Sequence, residues 1–377
     1  MTYFFTIVLL IYGSVHLYTF LRMRSALDFH IGIGFALAVF MLLMILTPFI
    51  VHLLEKRGID RLAIIFSYIG YVWMGLIFFF FITSIFFDLY RLVIHIIEWI
   101  VAGNYAFLLP SAKQLFYIPL GIAVCIFVYA YGEALSVGSQ HLILPSDKVP
   151  ENIRSFRIVQ ISDVHIGLMI REGRLRSVLD LVKKAQPDLL ISTGDLLDGQ
   201  TDQIGEMASL LKEIKPPYGK IAIMGNHEYY AGFTQAHVFL KNAGFNLLRG
   251  EGETVADFLN IIGFDDEQGR TYGPYRDISP KTITANFPAG NFMLFLKHRP
   301  VVESRFGHFD LQLSGHTHGG QIFPFRYVTE LFFPMNSGLF RFRDHSVLYV
   351  SRGSGTWGPP ARFLTPPEIT VIDLVHK

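Results

Sequence analysis

From Phe29 to Leu54 the chain carries no charged side chain, and from Leu62 to Phe87 it again carries none. Runs of this kind leave few folds open. A buried helix in a soluble bundle normally keeps a polar stripe, and neither run has one. Two further uncharged runs flank them: Tyr3 to Leu21, closed by Arg22 and Arg24, and Gln114 to Gly132, between Lys113 and Glu133. Each of the four is roughly 19 to 26 residues, long enough to cross a hydrocarbon core of about 30 Å. The pattern predicts an all-α transmembrane region of about four helices over residues 1–133. The first run lacks the leading positive charge and the small-residue exit of a signal peptide, so it reads as a retained helix.

Other features of this region are weaker guides. Arg91, His95 and Glu98 stand at helical spacing among Leu92, Val93, Ile94, Ile97 and Trp99. That predicts an interfacial helix between the third and fourth spans. His16 and His30 lie in or beside spans with no charged partner there, so anchoring and packing are expected of them rather than transport. The positive charges bordering the spans are nearly balanced. Lys148, Arg154 and Arg157 tip the expectation toward both termini, and the C-terminal region, facing the cytoplasm. Lys+Arg 32 against Asp+Glu 31 leaves no basic field for nucleic acid, and no nucleic-acid partner is expected. A single cysteine, Cys125, excludes a disulfide framework within one chain.

Residues 134–155 mix Ser, Gly, Pro and charges of both signs, the texture of a connector. From Phe156 onward, short apolar runs alternate with amphipathic stretches. Strands are expected at 157–161, 188–192 and 220–224, and helices at 173–185, 203–214 and 234–243. The first helix would bury Leu175, Val178, Leu179 and Val182. Such alternation implies a largely parallel sheet with helices packed on it. Further strands are expected at 260–264, 291–296, 310–314, 346–350 and 369–374. Few helices separate these, which suits a second sheet packed on the first within one domain, 156–377.

Five polar motifs each follow an expected strand. They are Asp163-Val164-His165, Gly194-Asp195, Gly225-Asn226-His227-Glu228, Lys297-His298 and Gly315-His316-Thr317-His318. Open α/β sheets place their chemistry at such strand ends, and neighbouring strands lie close enough for the side chains to converge. A carboxylate has two oxygens and can touch two cations, so Asp195 is expected to bridge a metal pair. Asp163 and His165, two apart on an extended exit, can turn to one ion. His316 and His318 share that spacing, yet each could serve a different ion. Oxygen and imidazole donors without thiolate suit Mn²⁺, Fe or Zn²⁺. Two cations about 3.5–4 Å apart can clamp the attacking and leaving oxygens of a displacement at phosphorus.

The series resembles the calcineurin-like metallophosphoesterase superfamily, whose pattern is D-x-H, G-D, G-N-H-[DE], H and G-H-x-H. The likeness covers roughly residues 156 to 374 and fills every motif position. It implies a four-layer α/β/β/α sandwich. It further implies that Asp163, His165, Asp195 and His318 hold one metal, while Asp195, Asn226, His298 and His316 hold the other, with Mn²⁺ favoured. By the same resemblance His227 stays off the metals, stabilises developing charge and protonates the leaving oxygen, its tautomer fixed by Glu228 or Asp198. The tail Gly355-Thr356-Trp357-Gly358-Pro359-Pro360-Ala361-Arg362 is similar to that of the bacterial membrane-associated branch. Arg362 is there a candidate to bind substrate phosphate.

The expected protein is thus a multi-pass inner-membrane enzyme, a metal-dependent phosphoric ester hydrolase. It would cleave a P–O bond by metal-bridging hydroxide. Apolar segments Gln321 to Phe325 and Leu331 to Met335 lie beside the last motif. Either they form a small core, or they meet the bilayer and admit a lipid-linked phosphoester. The rival reading is a membrane sensor or scaffold retaining a metal- or nucleotide-binding module, which would have no use for a proton donor at His227.

Overall fold

The computed structural model describes residues 2–199, 204–302 and 309–377. The chain divides into two compact units, Met1–Gly132 with Gly358–Ala361, and Glu133–Trp357 with Arg362–Lys377.

The first unit is built on long helices: α1 (Thr2–Leu27), α2 (Ile31–Lys56), α3 (Asp60–Val101) and α4 (Gln114–Leu135). Among the described residues, α2, α3 and α4 are long and apolar enough to cross a membrane. The fourth expected span falls on α1, which is as long as α2 and carries Arg22 and Arg24 near its end. The expected interfacial helix is not separate. Arg91, His95 and Glu98 ride on α3, which continues unbroken to Val101. No glycine or proline falls between Leu76 and Val101 to stop it. Asp88 ties α3 to α1: it accepts from the Tyr18 hydroxyl at 2.6 Å and pairs with Arg22. His16 donates from Nδ1 to the Tyr12 carbonyl at 2.8 Å and accepts from Trp73 Nε1 at 2.9 Å, so it packs within the helices as expected. His30 caps α2, accepting from the Gly32 amide.

Among the described residues the second unit has two six-stranded sheets. In chain order its elements are β1 (Gly138–Pro145), β2 (Phe156–Ile161), α5 (Glu172–Ala185), β3 (Leu189–Ser192), α6 (Ile204–Lys212) and β4 (Lys220–Ala222). Next come α7 (Asn226–Ala231), α8 (Phe233–Asn242), β5 (Asn246–Leu247), β6 (Glu251–Val255), β7 (Leu259–Gly263), α9 (Gly269–Tyr272) and α10 (Pro280–Thr284). Then follow β8 (Phe292–Leu296), β9 (Leu311–Ser314), α11 (Arg326–Phe332), β10 (Gly338–Arg341), β11 (Val347–Val350) and β12 (Glu368–Val375). The sheet orders are β1-β12-β2-β3-β4-β5 and β10-β11-β9-β8-β7-β6. Every strand expected from the sequence forms. Gln203, the expected first residue of the second helix, lies outside the described residues.

Alternation along the strands sorts the side chains into layers. Val159, Ile161 and Leu190 face α5, α6 and α8, where Leu175, Val178, Leu179 and Val182 are the buried face of α5 as the periodicity requires. Ile158, Leu189, Ile191 and Ile221 face the other way and meet Leu259, Ile261, Leu294 and Leu313 of the second sheet. Ile262, Met293 and Phe295 form a third cluster with Ile283 of α10. These are the layers of an α/β/β/α sandwich, the last one thin.

The stretch expected to be a connector, 134–155, supplies β1. It pairs in parallel with β12 over its whole length, Gly138 opposite Glu368 and Pro145 opposite Val375. Only Leu144 of β1 is buried. As an edge strand it has no apolar alternation to announce it, and an edge tolerates Pro145.

Lys220 opens β4, the strand that leads to the Gly225-Asn226 loop. Its buried ammonium donates to the carbonyls of Leu211 and Ala243, at 2.7 and 2.5 Å, closing the C-terminal ends of α6 and α8. Burial pushes its pKa down to about 8. Lys220→Met removes the donor to the Ala243 carbonyl and leaves Leu211 O with the Ile214 amide alone, and is expected to cost about 1–3 kcal/mol. Thermal melts of wild type and variant in the same detergent would measure it, and equal midpoints would refute the capping role.

Candidate metal centre

Each motif leaves a neighbouring strand at its C-terminal end. β2, β3 and β4 of the first sheet deliver Asp163, Asp195 and Asn226, and β8 and β9 of the second deliver His298, His316 and His318. The loops are stitched together by backbone bonds. Asp163 N–H donates to Gly194 O at 3.0 Å, His165 N–H to Asp195 O at 3.0 Å, and Gly315 N–H to His298 O at 2.9 Å. Close approach demands glycine: a Cβ at Gly225 would overlap Asp195 Oδ1, and one at Gly315 would overlap Asp163 Oδ2.

The backbone itself is unusual here. Asp163, His165, Asp195, His316 and His318 all have positive φ, between 51° and 73°. Left-handed backbone at non-glycine residues is uncommon and costs energy. Its concentration at five motif residues marks a place where side-chain direction is bought with strain.

The structure brings six of the seven expected ligand residues together with His227, and the seventh, Asn226, precedes His227 on α7. Three groups of side-chain atoms lie within 4.8 Å of one another and could hold an ion: Asp163, His165 and His318; Asp195, His298 and His316; and His165, Asp195 and His227. Imidazole nitrogens point at each other across the site, His165 Nε2 to His318 Nε2 at 3.0 Å and His316 Nδ1 to His298 Nε2 at 3.2 Å. Asp195 sits where the groups meet. Its Oδ1 accepts from the His227 amide at 2.8 Å and its Oδ2 lies 3.1 Å from His298 Nε2. Asn226 Oδ1 is buried and finds no hydrogen-bond donor among the described residues. A buried oxygen without a donor is costly unless a cation takes it, so these residues fit a metal centre.

Supporting contacts aim the ligands. His298 Nδ1–H donates to the Thr193 carbonyl at 2.9 Å, which leaves Nε2 facing Asp195 and His316. The His316 amide donates to both carboxylate oxygens of Asp163, at 2.9 and 3.1 Å. Glu228 does not touch His227's ring nitrogens as one expectation held. It accepts from the amides of Asp195, Leu197 and Gly225, at 2.9, 2.9 and 2.8 Å, and so staples two motif loops. The sequence signal was its place three residues after Gly225, the reach-back position of a helix N-terminus. Asp198 is the partner of His227, Oδ1 to Nδ1 at 2.5 Å.

Arg362 requires a correction. It is 0% exposed, so its guanidinium is not available to a substrate phosphate. It donates to the carbonyls of Gly355, His318 and Arg352, at 3.0, 2.9 and 2.7 Å, and to His318 Nδ1 at 3.0 Å. Five donors in a rigid fork suit such a role. Arg362 positions His318 and the tail around it.

Charges alternate through the cluster. Burial opposes ionisation of Asp195, but His298 and His227 hold its carboxyl well below the usual range. Burial works against the His298 imidazolium, yet Asp195 lifts it to about 10. Burial, with like charges around them, keeps His316 and His318 well below the ordinary imidazole value. Neutral imidazoles are the ligating form.

A cavity of about 180 Å³ opens beside His298, lined also by Asp266, Lys297, Arg299 and Phe333. Arg299 is paired with Asp266 at 2.7 Å. The ring of Phe333 stands edge-on to His316, with centroids 5.0 Å apart.

The calcineurin-like phosphoesterase sequence profile matches residues 156–320. An uncharacterized metallophosphoesterase of Aquifex aeolicus (strain VF5) is 36% identical over 259 residues, covering 68% of this chain and 98% of that protein. The chain belongs to the calcineurin-like phosphoesterase family. A second metallophosphoesterase, from Campylobacter jejuni, is 32% identical over 61% of this chain. A Danio rerio relative named as a transmembrane protein with metallophosphoesterase domain is 31% identical over 61% of this chain. The matched regions span 62% and 56% of those two relatives. Membership in the calcineurin-like phosphoesterase family, together with the His/Asp clusters, points to divalent metal binding and to hydrolases acting on phosphoesters.

Proposed function

We propose that the chain is a membrane-anchored phosphoesterase that hydrolyses a P–O bond with two divalent cations, Mn²⁺ favoured. Asp163, His165, Asp195 and His318 would hold one cation, and Asp195, Asn226, His298 and His316 the other. The observation that carries this reading is the convergence of five strand ends around one buried carboxylate, Asp195, which groups with His298 and His316 and also with His165 and His227. When bound, such cations supply the positive charge that grips phosphoryl oxygens and makes water nucleophilic near neutral pH.

The chain's own residues do the rest. Asn226 offers a neutral oxygen, which keeps the centre attractive to an anion. His227 sits half-buried at the rim with Nδ1 engaged by Asp198, so its other nitrogen is the one free to protonate a departing oxygen. Asp198, held down near a pKa of about 2 by His227 and His165 against its burial, stays ionised and keeps that orientation. Metal analysis of the purified chain, with phosphoester hydrolysis measured with and without Mn²⁺, tests the reading. A loaded protein that turns over neither monoesters nor diesters would be a binding module.

We further read the site as facing lipid. Helix α11 buries none of its residues, and Leu331 and Phe332 are 80% and 75% exposed. Ile322 of the preceding segment is buried, so the exposed pair Leu331 and Phe332 is what supports the lipid reading over a small core. A chain with its own apolar spans works beside a bilayer, and a lip of this kind there admits a lipid-linked phosphoester. Membrane-spanning helices with the catalytic unit on the cytoplasmic side of an inner membrane complete the proposal. The double substitution Leu331→Ser with Phe332→Ser, which spares Phe333 against His316, is expected to lower turnover of a vesicle-borne phosphoester about tenfold relative to a soluble one. Equal losses on both substrates would show the lip to be structural.

A further inference from the structure

Two exposed aromatic rings border His227. Trp357, 57% exposed, lies with its ring centroid 5.7 Å from the imidazole at 69°, and Tyr230, 47% exposed, lies at 5.4 Å and 77°. Tyr272 of α9 stands edge-on behind Tyr230, centroids 5.2 Å apart at 89°. None of these rings belongs to a ligand motif. None is needed for a core either, since each keeps much of its surface in solvent.

Trp357 is also held in place. Its backbone N–H donates to Gln321 Oε1 and its carbonyl accepts from Gln321 Nε2, both at 2.9 Å. Gln321 has a positive φ of 54° and lies three residues beyond His318. A side-chain amide that grips a tryptophan backbone from both sides fixes where the indole stands. Tyr230 starts from α7, the same short helix that carries Asn226 and His227. Both rings are therefore fixed to the elements that build the metal centre.

Aromatic faces beside a reacting centre bind flat groups, because every π-system can stack on them. Their place beside His227 decides which part of the substrate they meet. This step rests on the reading of His227 as the donor to the departing oxygen. We propose that Trp357 and Tyr230 form the leaving-group subsite and select phosphoesters whose departing alcohol carries a planar π-face, an aryl ring or a nucleobase.

Benzyl and ethyl phosphate, with their methyl diesters, test this in the full chain in detergent with Mn²⁺. The two alcohols are similarly basic, so a rate difference reports contacts rather than leaving-group chemistry. Wild type is expected to favour benzyl over ethyl esters by about tenfold or more in kcat/KM, the scale of one stacking contact. Trp357→Ala and Tyr230→Ala should each bring that ratio toward one, mainly through KM, with metal content unchanged. Trp357→Phe should restore part of it. A nucleoside 5′-phosphate and its methyl ester, compared with ethyl esters, separate a base from an aryl group as the natural occupant. A wild-type ratio near one, or a ratio that survives both alanine variants, overturns the subsite alone. A metal-loaded wild type that hydrolyses neither these esters nor a vesicle-borne phosphoester overturns the phosphoesterase reading and the subsite with it.

Discussion

Asp195→Asn is expected to reduce phosphoester hydrolysis by about a thousandfold or more, the several kcal/mol a cation centre supplies. Membrane insertion and fold should survive. Asp195 is buried, and both of its oxygens are committed: Oδ1 to the His227 amide, and Oδ2 toward His298. The amide keeps the shape of the side chain and removes its charge. It also turns one oxygen into a donor aimed at atoms that should meet a cation. Both proposed ligand sets include this residue, so bound metal should fall from two equivalents to one or fewer. Atomic absorption on the purified variant, with turnover measured beside wild type, checks both halves. Wild-type turnover in Asp195→Asn would remove the shared-carboxylate mechanism.

His227→Ala should behave differently. Loss of a proton donor is expected to lower kcat by about 10²–10⁴ while metal content holds, because His227 is not among the expected ligands. The pH dependence gives a second reading. Burial pushes the imidazolium down, but Asp195 and Asp198 outweigh it and hold His227 up at about 9 when no cation is bound. The group therefore keeps its proton through neutral pH and loses it as pH rises. Bound cations move that loss to lower pH, and so does removing a neighbouring negative charge. Asp198→Asn should thus shift the alkaline limb of kcat toward acid relative to wild type. An unshifted limb, or His227→Ala turnover within a few-fold of wild type, would leave another group as the donor.

Sequence alone placed the motifs well because their physics is local. A buried parallel strand is a short apolar run, and the polar residue just past it must lie at the sheet's end. The buried face of α5 was legible for the same reason, as a period read over one helix. What could not be read depends on partners distant in the chain. Arg362 looks like a phosphate ligand in a glycine-rich tail, and only the fold shows its donors spent on the carbonyls of Gly355, His318 and Arg352. Trp357 and Tyr230 are not ligand positions of any motif, and their meaning lies in standing beside His227. Strand β1 has no pattern of its own and exists because β12 accepts it.

That last pairing has a bearing on biosynthesis. The ribosome makes Gly138–Pro145 directly after the apolar helices, while its neighbour in the sheet among the described residues, Glu368–Val375, is translated after the other described strands. Until then β1 is an open strand directly behind the apolar helices in the chain, and β2 also lacks its partner on that side. The nascent protein must hold two open strand edges apart through most of elongation, a stage at which exposed edges invite wrong pairing. Closure of the first sheet is thus postponed to the emergence of β12, and the loops that bear Asp163, Asp195 and Asn226 rest on no finished sheet before it.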